Sequence, residues 1–473
     1  MTGSGGREAR PGLVLALCSG ASFMAFLDLS VVNIAFPEIM EDFPGTSVSV
    51  LTWVASAYAV TFAAFLAPAG RLADTAGRDR VFTWSVIGFT LASLLCGLAP
   101  AVELLIAGRL LQGAAAAGMI PAALALIIAD APGGKLLKAI GTWSAVTSVS
   151  AVVGPIVGGV LVERFGWPSV FLINVPVGAV LAVWARRTLP RHAPPAGSKR
   201  PDALGTLALL LGVGGIVAGF TEGDGWGWGS PATIGVLGGG AALGVLSLLR
   251  SRRHPAPAVE IGLWRSGRYA VCNVTAFLFG TAMFPWLLAN PLFATQIWHW
   301  SILESAAALT IGGVAAGVTA KLAGRIVDPA GHRWLIAAGT VLFAAGTGLN
   351  GSDLFLYEVR FWDAWVPVGV LCGAGVGLVM TAVSAAAATA LPPPRFAAGL
   401  GLSLTVRQLG GALGIAGLAA LLASRSVTDV ETFHTIYLLC GGIGLAAGVA
   451  ALFMPAPGTP HPDPHEEEAS KIP

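Results

Sequence analysis

Long apolar stretches alternate with short polar segments along the whole chain. A helix needs about 20 mostly apolar residues to cross the hydrocarbon core of a bilayer, and backbone exposed to lipid must satisfy its own hydrogen bonds. Fourteen stretches approach this length, and we predict a membrane-spanning helix in each. These spans 1–14 cover residues 13–36, 48–68, 81–99, 102–129, 138–161, 169–187, 203–220, 232–249, 269–294, 303–323, 334–349, 365–389, 397–422 and 434–454.

The positive charges are distributed unevenly between the segments that join the spans. All but five of the 27 Lys and Arg residues lie in, or within three residues of, the N-terminal segment, every second loop or the C-terminal tail. Because cytoplasmic loops collect Lys and Arg, this pattern predicts that both termini are cytoplasmic. The pattern also supports the count of fourteen spans, because one missed span would place every later basic loop on the opposite side of the membrane. The five exceptions are Arg109, Arg164, Arg360, Arg407 and Arg425.

The composition agrees with an all-α integral membrane protein. Hydrophobic residues make up 55% of the chain and charged residues only 11%, whereas a soluble domain carries about 25% charged residues. With a net charge of +2, no basic domain indicates a nucleic-acid partner. The five cysteines stand singly inside apolar runs, so they predict neither disulfides nor a metal site. We expect no metal and no cofactor.

One polar segment occurs twice. Residues 70–80 read GRLADTAGRDR, and GRIVDPAGHR follows at 324–333, with Asp328 placed 254 residues after Asp74. Such a copy indicates internal duplication. Because the copies lie eight spans apart, we predict two six-span bundles, residues 1–190 and 266–455. Basic linkers with two inserted spans, residues 191–265, join them, and a disordered cytoplasmic tail, residues 456–473, ends the chain.

The duplicated segment has two possible roles. Its arginines alone would suit positive charge and a turn on the cytoplasmic side. Because the glycines and the acid recur at the same spacing, we favour a latch that holds one arrangement of the two bundles, with Asp74 capping a helix end or pairing with an arginine. Pro329 and His332 make the second copy a weaker match. The predicted latch comprises Gly70, Arg71, Asp74, Gly77, Arg78, Gly324, Asp328 and Gly331.

Asp28 is the only acid near the middle of a span. An intramembrane carboxylate costs several kcal/mol unless it is paired or protonated, and it usually marks a functional site. Arg109 of span 4 is its natural partner, and small rearrangements of such a pair could bind or release a proton. Alternatively, Asp28 is permanently protonated between helices, and Arg109 bonds to carbonyls or to Gln112. The position matching Asp28 in the second bundle is Ala282, so proton chemistry is expected in the first bundle alone.

Span 5 carries small residues around a proline. Small residues four apart let helices pack closely, and proline removes a backbone hydrogen bond and allows a bend. Tight packing alone would explain a run of glycines, but the proline and the complete spacing favour a hinge-like interface between the bundles. The residues concerned are Gly141, Ser150, Gly154, Pro155, Gly158 and Gly159.

Nearly the whole chain resembles the major facilitator superfamily, specifically its 14-span drug:proton antiporter branch. The motifs that carry the resemblance are FLDLSVVNIAFP (26–37), W-x4-Y (Trp53, Tyr58), GRLADTAGRDR, RLLQGAAAAG (109–118), GPIVGG (154–159) and GWPSVFLINVPVG (166–178). The resemblance implies a monomeric transporter in the bacterial plasma membrane. It would export lipophilic drugs or antibiotics, and a proton gradient rather than a cofactor would drive it. In that family the acid of span 1 is linked to proton coupling or to cationic substrates, and the span 5 motif to export.

The substrate and the direction of transport remain open at this stage. One membrane carboxylate suits a neutral or singly cationic amphiphile better than a dication. A lipid or metabolite flippase, or an uptake symporter, could use the same fold. An intramembrane enzyme is disfavoured because no catalytic cluster lies at membrane depth, and an ATP-driven pump because no phosphate-binding loop occurs. Candidate cavity residues are Asn33, Trp53, Tyr58, Gln112, Asn290, Gln296 and Arg407.

Overall fold

The computed structural model describes residues 11–130, 136–189, 202–324, 331–355, 357–391, 396–425 and 428–455. All the regular secondary structure of these residues is helical, and no strand occurs among them. Their α-helices are α1 (Pro11–Asp42), α2 (Val48–Ala76), α3 (Arg78–Gly97), α4 (Val102–Asp130), α5 (Leu136–Phe165), α6 (Pro168–Leu172), α7 (Asn174–Thr188), α8 (Ala203–Trp226), α9 (Pro231–Ser251), α10 (Gly267–Gln296), α11 (Ile302–Ala323), α12 (His332–Asn350), α13 (Val366–Thr389), α14 (Phe396–Ser424) and α15 (Val430–Leu452).

The helices follow the order of the apolar stretches. Spans 1–5 correspond to α1–α5, α6 and α7 together form span 6, and spans 7–14 correspond to α8–α15. Within the described ranges, twelve segments are long and apolar enough to cross a membrane, and α5 and α12 are not among them. The helical membrane fold is therefore confirmed, whereas the count of fourteen spans stays a prediction. The boundary at residue 190 and the tail 456–473 lie outside the described residues.

The two bundles repeat one packing arrangement. Gly158 places α5 against α1, where an added Cβ would lie 3.0 Å from Val31 Cγ1. Gly410 places α14 against α10, where an added Cβ would lie 2.1 Å from the carbonyl oxygen of Phe277. In both bundles a glycine of the fifth helical span thus allows close contact with the first helix. The packing agrees with the duplication read from the sequence.

The largest contacts between the bundles are those of α2 with α14 and of α5 with α11. Ala59 and Val60 of α2 form a buried cluster with Ala412 of α14 and Val217 of α8. The inserted helix α8 therefore packs on the contact between α2 and α14. On the second pair, an added Cβ at Gly159 would lie 2.7 Å from Ala306 Cβ.

The inserted helices α8 and α9 form a hairpin that is fixed at its open end. Asp202 caps α8 by accepting a hydrogen bond from the Gly205 amide at 3.0 Å, and Arg250 Nε of α9 donates to both of its carboxylate oxygens at 2.8 Å. Burial alone would raise the pKa of Asp202, but the Gly205 and Arg250 donors hold it below its ordinary value. The ionised carboxylate thus joins the two inserted helices.

The first copy of the duplicated segment is more helical than its polarity suggests. Helix α2 continues to Ala76 and α3 begins at Arg78, so the connection is Gly77 alone, with φ 102°. Gly70 lies inside α2, where an added Cβ would make an ordinary 3.6 Å contact with Pro121. The contact of Gly70 with Pro121 therefore does not require glycine. Arg78 Nη1 donates to the Ala125 carbonyl of α4 at 3.4 Å.

The second copy has ordinary backbone angles at its described glycines. Gly324 ends α11 with φ −64°, and Gly331 precedes α12 with φ −70°. Asp328 lies outside the described residues, as do the side chains of Arg71 and Asp74. The latch contacts of Arg71, Asp74 and Asp328 therefore stay predictions.

Substitution of Gly77 by alanine is expected to destabilise the protein, whereas Gly331→Ala is expected to have little effect. A left-handed backbone costs a residue with a Cβ about 1–2 kcal/mol, and only Gly77 of the two has positive φ. Thermal unfolding of the two purified variants would measure the difference. Equal unfolding temperatures for both variants would contradict the strain assigned to Gly77.

Candidate functional site

A cluster of buried polar side chains surrounds Asp28 in the first bundle. Arg109 Nη1 of α4 donates to Asp28 Oδ2 at 2.5 Å. The other oxygen, Oδ1, accepts from Gln112 Nε2 at 2.8 Å and from Asn174 Nδ2 of α7 at 2.9 Å. Three donors therefore point at one carboxylate, which is the arrangement expected for its ionised form.

The sequence of α4 explains how the cluster forms on that side. Arg109 and Gln112 are three residues apart and so lie on one helix face, where Arg109 Nη1 also donates to Gln112 Oε1 at 2.6 Å. Gly113 lets α4 approach α2, because an added Cβ would lie 2.3 Å from the carbonyl oxygen of Tyr58. The Tyr58 ring then lies 4.4 Å from the Arg109 guanidinium carbon, and Arg109 Nε donates to Val54 O at 2.9 Å.

The pair is sealed from its surroundings. Asp28 is 1% exposed and Arg109 0%. Buried charges are tolerated when they are paired and hydrogen-bonded, and removal of one partner is then strongly destabilising. The three hydrogen bonds to Asp28 stabilise its ionised form, so protonation of Asp28 would weaken the contacts that join α1 to α4 and α7. Protonation of Asp28 and the positions of α1, α4 and α7 are consequently linked.

Sequence reasoning missed two members of the cluster. Asn174 Nδ2 also donates to Ser93 Oγ of α3 at 3.0 Å, and Ser93 Oγ donates to the Phe171 carbonyl at 3.0 Å. Asn174 begins α7 directly after the break at Ile173. Its place inside the GWPSVFLINVPVG motif was the available signal. Ser93 has no comparable signal, because it is one small polar residue in an apolar span.

Span 5 brings α5 beside this cluster. An added Cβ at Gly154 would lie 2.5 Å from Ser30 Oγ, two residues beyond Asp28 on α1. Gly159 meets α11 of the second bundle, as described above. Pro155 and Ser150 are buried, and Ser150 Oγ donates to Thr147 O at 2.6 Å. The surroundings of Gly141 lie outside the described residues.

The predicted cavity residues do not form one site. Tyr58 and Gln112 belong to the Asp28 cluster, and Asn290 Nδ2 donates within α10 to Trp286 O at 2.6 Å. Asn33 and Gln296 are half-buried and make no described contact with the cluster. Arg407 lies in the second bundle.

Trp53, another predicted cavity residue, lies beside the Glu222 carboxylate of α8. The sequence predicts an external loop over residues 219–230, but α8 continues to Trp226. Glu222 is therefore a half-buried helical residue. Its contact with Trp53 joins the inserted hairpin to α2.

Comparison with known proteins identifies the family of the chain. The family model of the Major Facilitator Superfamily matches residues 18–284 and 272–473. The puromycin resistance protein pur8 of Streptomyces alboniger is 34% identical over 466 residues, covering 93% of this chain and 89% of that protein. Multidrug resistance protein Stp of Mycobacterium tuberculosis is 32% identical over 411 residues, covering 86% and 75%.

The structural comparison concerns the fold. The POT family transporter PepTSo superposes with a TM-score of 0.66 at 14% identity, covering 94% of this chain and 97% of that one. The family match, the helices long enough to cross a membrane and the drug-resistance relatives together indicate a membrane transporter. The chain belongs to the Major Facilitator Superfamily and is a multi-pass transporter of the bacterial plasma membrane, not an enzyme.

Proposed function

We propose that the protein exports lipophilic, drug-like small molecules in exchange for protons. The observation that carries the proposal is the sealed Asp28–Arg109 pair, which lies beside α5, a helix that touches both bundles. The names of relatives, a puromycin resistance protein and a multidrug resistance protein, support a drug-like cargo and the outward direction. A carboxylate whose ionised form is stabilised by donors from α4 and α7 can couple proton binding to rearrangement of these helices.

We also propose a topology of fourteen membrane-spanning helices. Helix α5 has 30 residues and α12 has 19, which at 1.5 Å per residue is enough to cross most or all of a hydrocarbon core about 30 Å thick. We count both as spans, which gives fourteen. The distribution of Lys and Arg then places both termini in the cytoplasm.

In the proposed cycle, ionised Asp28 accompanies uptake of the substrate from the cytoplasmic side. When the bundles rock, α5 moves against α1 at the Gly154–Ser30 contact and shifts Asp28 relative to Arg109. A proton from outside then neutralises Asp28, and the substrate leaves. Arg109 keeps two acceptors at this stage, Gln112 Oε1 and Val54 O, so its charge is not left without hydrogen bonds. The proton is released inward as the ion pair forms again.

An efflux experiment tests the proposal. Cells that lack their own efflux pumps would express the protein, be loaded with the lipophilic dye ethidium, and be compared with cells carrying the empty vector. We expect faster dye efflux with the protein, and loss of that advantage when a protonophore collapses the gradient. Addition of dye to everted vesicles with an acidic interior should also release protons. Efflux that persists without a proton gradient would contradict proton coupling, and gradient-driven uptake would favour a symporter.

A further inference from the structure

Arg407 is a charge deep in the second bundle for which the described residues offer no acidic partner. It lies near the middle of α14 and is half-buried. Its Nη1 lies 3.1 Å from Met380 Sδ of α13, and its Nε has no hydrogen-bond partner among the described residues. A thioether sulfur is a weak acceptor. Arg407 thus differs from Arg109, whose charge is matched by Asp28.

The packing of α14 directs this side chain into the bundle. Arg407, Gly410 and Gly414 lie on the helix face that contacts α10. An added Cβ at Gly280 of α10 would lie 2.3 Å from the Arg407 carbonyl oxygen and 3.2 Å from its Cγ. The glycine therefore makes room for the stem of Arg407, and the guanidinium reaches past α10 to Met380. Three helices of the second bundle hold it at membrane depth.

A positive charge at this depth is costly and normally marks a functional position. The guanidinium offers planar pairs of N–H donors that match carboxylate, sulfonate and phenolate oxygens. Asp28, the acid expected to select cationic cargo, is 1% exposed and already accepts three hydrogen bonds. Of these two charges, Arg407 is the one that is partly accessible.

We propose that Arg407 binds an anionic oxygen of the cargo, so that the transported molecules include amphiphilic acids. This inference rests on the proposed export function, because it takes the bound molecule to be one that the protein transports. It revises the expectation from the sequence that a neutral or singly cationic amphiphile fits best. The apolar part of the molecule would lie against the surrounding helices, and its acidic group would supply the acceptor that the guanidinium lacks.

Equilibrium binding tests this assignment without any transport step. The purified protein in nanodiscs would be dialysed against 1-anilinonaphthalene-8-sulfonate and, separately, against N-phenyl-1-naphthylamine, which has the same ring system without the sulfonate. Nanodiscs without protein correct for partition into lipid. We expect Arg407→Gln to weaken binding of the sulfonate about tenfold or more, as for loss of a charged hydrogen bond, and binding of the neutral amine less than about twofold. Arg407→Lys should retain an intermediate affinity for the sulfonate.

Arg252→Gln is the matched control, because it removes an exposed positive charge at the end of α9, outside the second bundle. It should leave the affinity for both probes unchanged. Equal weakening of both probes by Arg407→Gln would indicate a structural role and overturn the proposal, as would an unchanged affinity for the sulfonate in both Arg407→Gln and Arg407→Lys. If Arg407→Gln fails to fold, the lysine variant decides by its sulfonate affinity relative to the amine. Since no gradient is applied, this outcome is independent of whether export is proton-driven.

Discussion

Arg109→Met is expected to destabilise the protein by about 3–5 kcal/mol and to abolish transport, because it leaves the Asp28 carboxylate buried without its counter-charge. The methionine approximates the apolar stem of arginine but makes none of its hydrogen bonds to Asp28, Gln112 and Val54. Thermal unfolding of the purified variant and dye efflux in cells would measure the two effects. Arg252→Met is the matched control, since Arg252 is exposed and such surface substitutions usually change stability by less than about 0.5 kcal/mol.

The double variant Asp28→Asn with Arg109→Met separates stability from coupling. Asparagine at position 28 can still accept from Gln112 and Asn174, and no buried charge remains unpaired. We therefore expect the double variant to regain much of the stability that Arg109→Met loses, while proton release on addition of dye stays absent. The wild type, Asp28→Asn, Arg109→Met and the double variant form a double-mutant cycle, which isolates the interaction between the two side chains. A double variant that is as unstable as Arg109→Met alone would contradict an ionised pair.

The apolar pattern was sufficient to predict the helices and the partner of Asp28. Opposite charges are rare inside spans, so Asp28 and Arg109 of the same bundle had few alternatives to each other. Neutral polar residues are less constrained, because a serine or an asparagine can bond within its own helix. That is why the roles of Ser93 and Asn174 depended on the folded structure. The break at Ile173 that positions Asn174 also leaves no mark in hydropathy.

Hydropathy located the helices of the chain better than it located their ends. An apolar run ends where polar residues reach the interface, but the helix can continue into water. Helix α2 therefore passes the predicted end at residue 68 and reaches Ala76, and α8 passes residue 220 and reaches Trp226. Because Glu222 is polar and follows the apolar run, the sequence pattern predicted that it lies in a loop. Its contact with Trp53 depends on the packing of α8 against α2, which the sequence pattern alone does not contain.

Gly159→Ala is expected to reduce the rate of export at least about tenfold. The added Cβ would lie 2.7 Å from Ala306 Cβ and 3.2 Å from Leu303 Cα, and backbone in the first turn of α11 cannot move away as a flexible side chain could. The substitution would push α5 from α11 where the bundles meet, as overpacking does elsewhere. The substitution would therefore destabilise the arrangement in which α5 and α11 are in contact, relative to an arrangement in which they are separated.

A compensating substitution tests whether the contact itself is responsible. Ala306→Gly removes the nearest atom, so the pair Gly159→Ala with Ala306→Gly should recover a large part of the export rate. Gly417→Ala is the matched control, because that glycine of α14 has no atom within 4 Å of an added Cβ. Dye efflux at equal expression would compare the variants. If the second substitution restores nothing, or if Gly417→Ala is equally impaired, a general effect on folding explains the loss, and the contact between α5 and α11 does not.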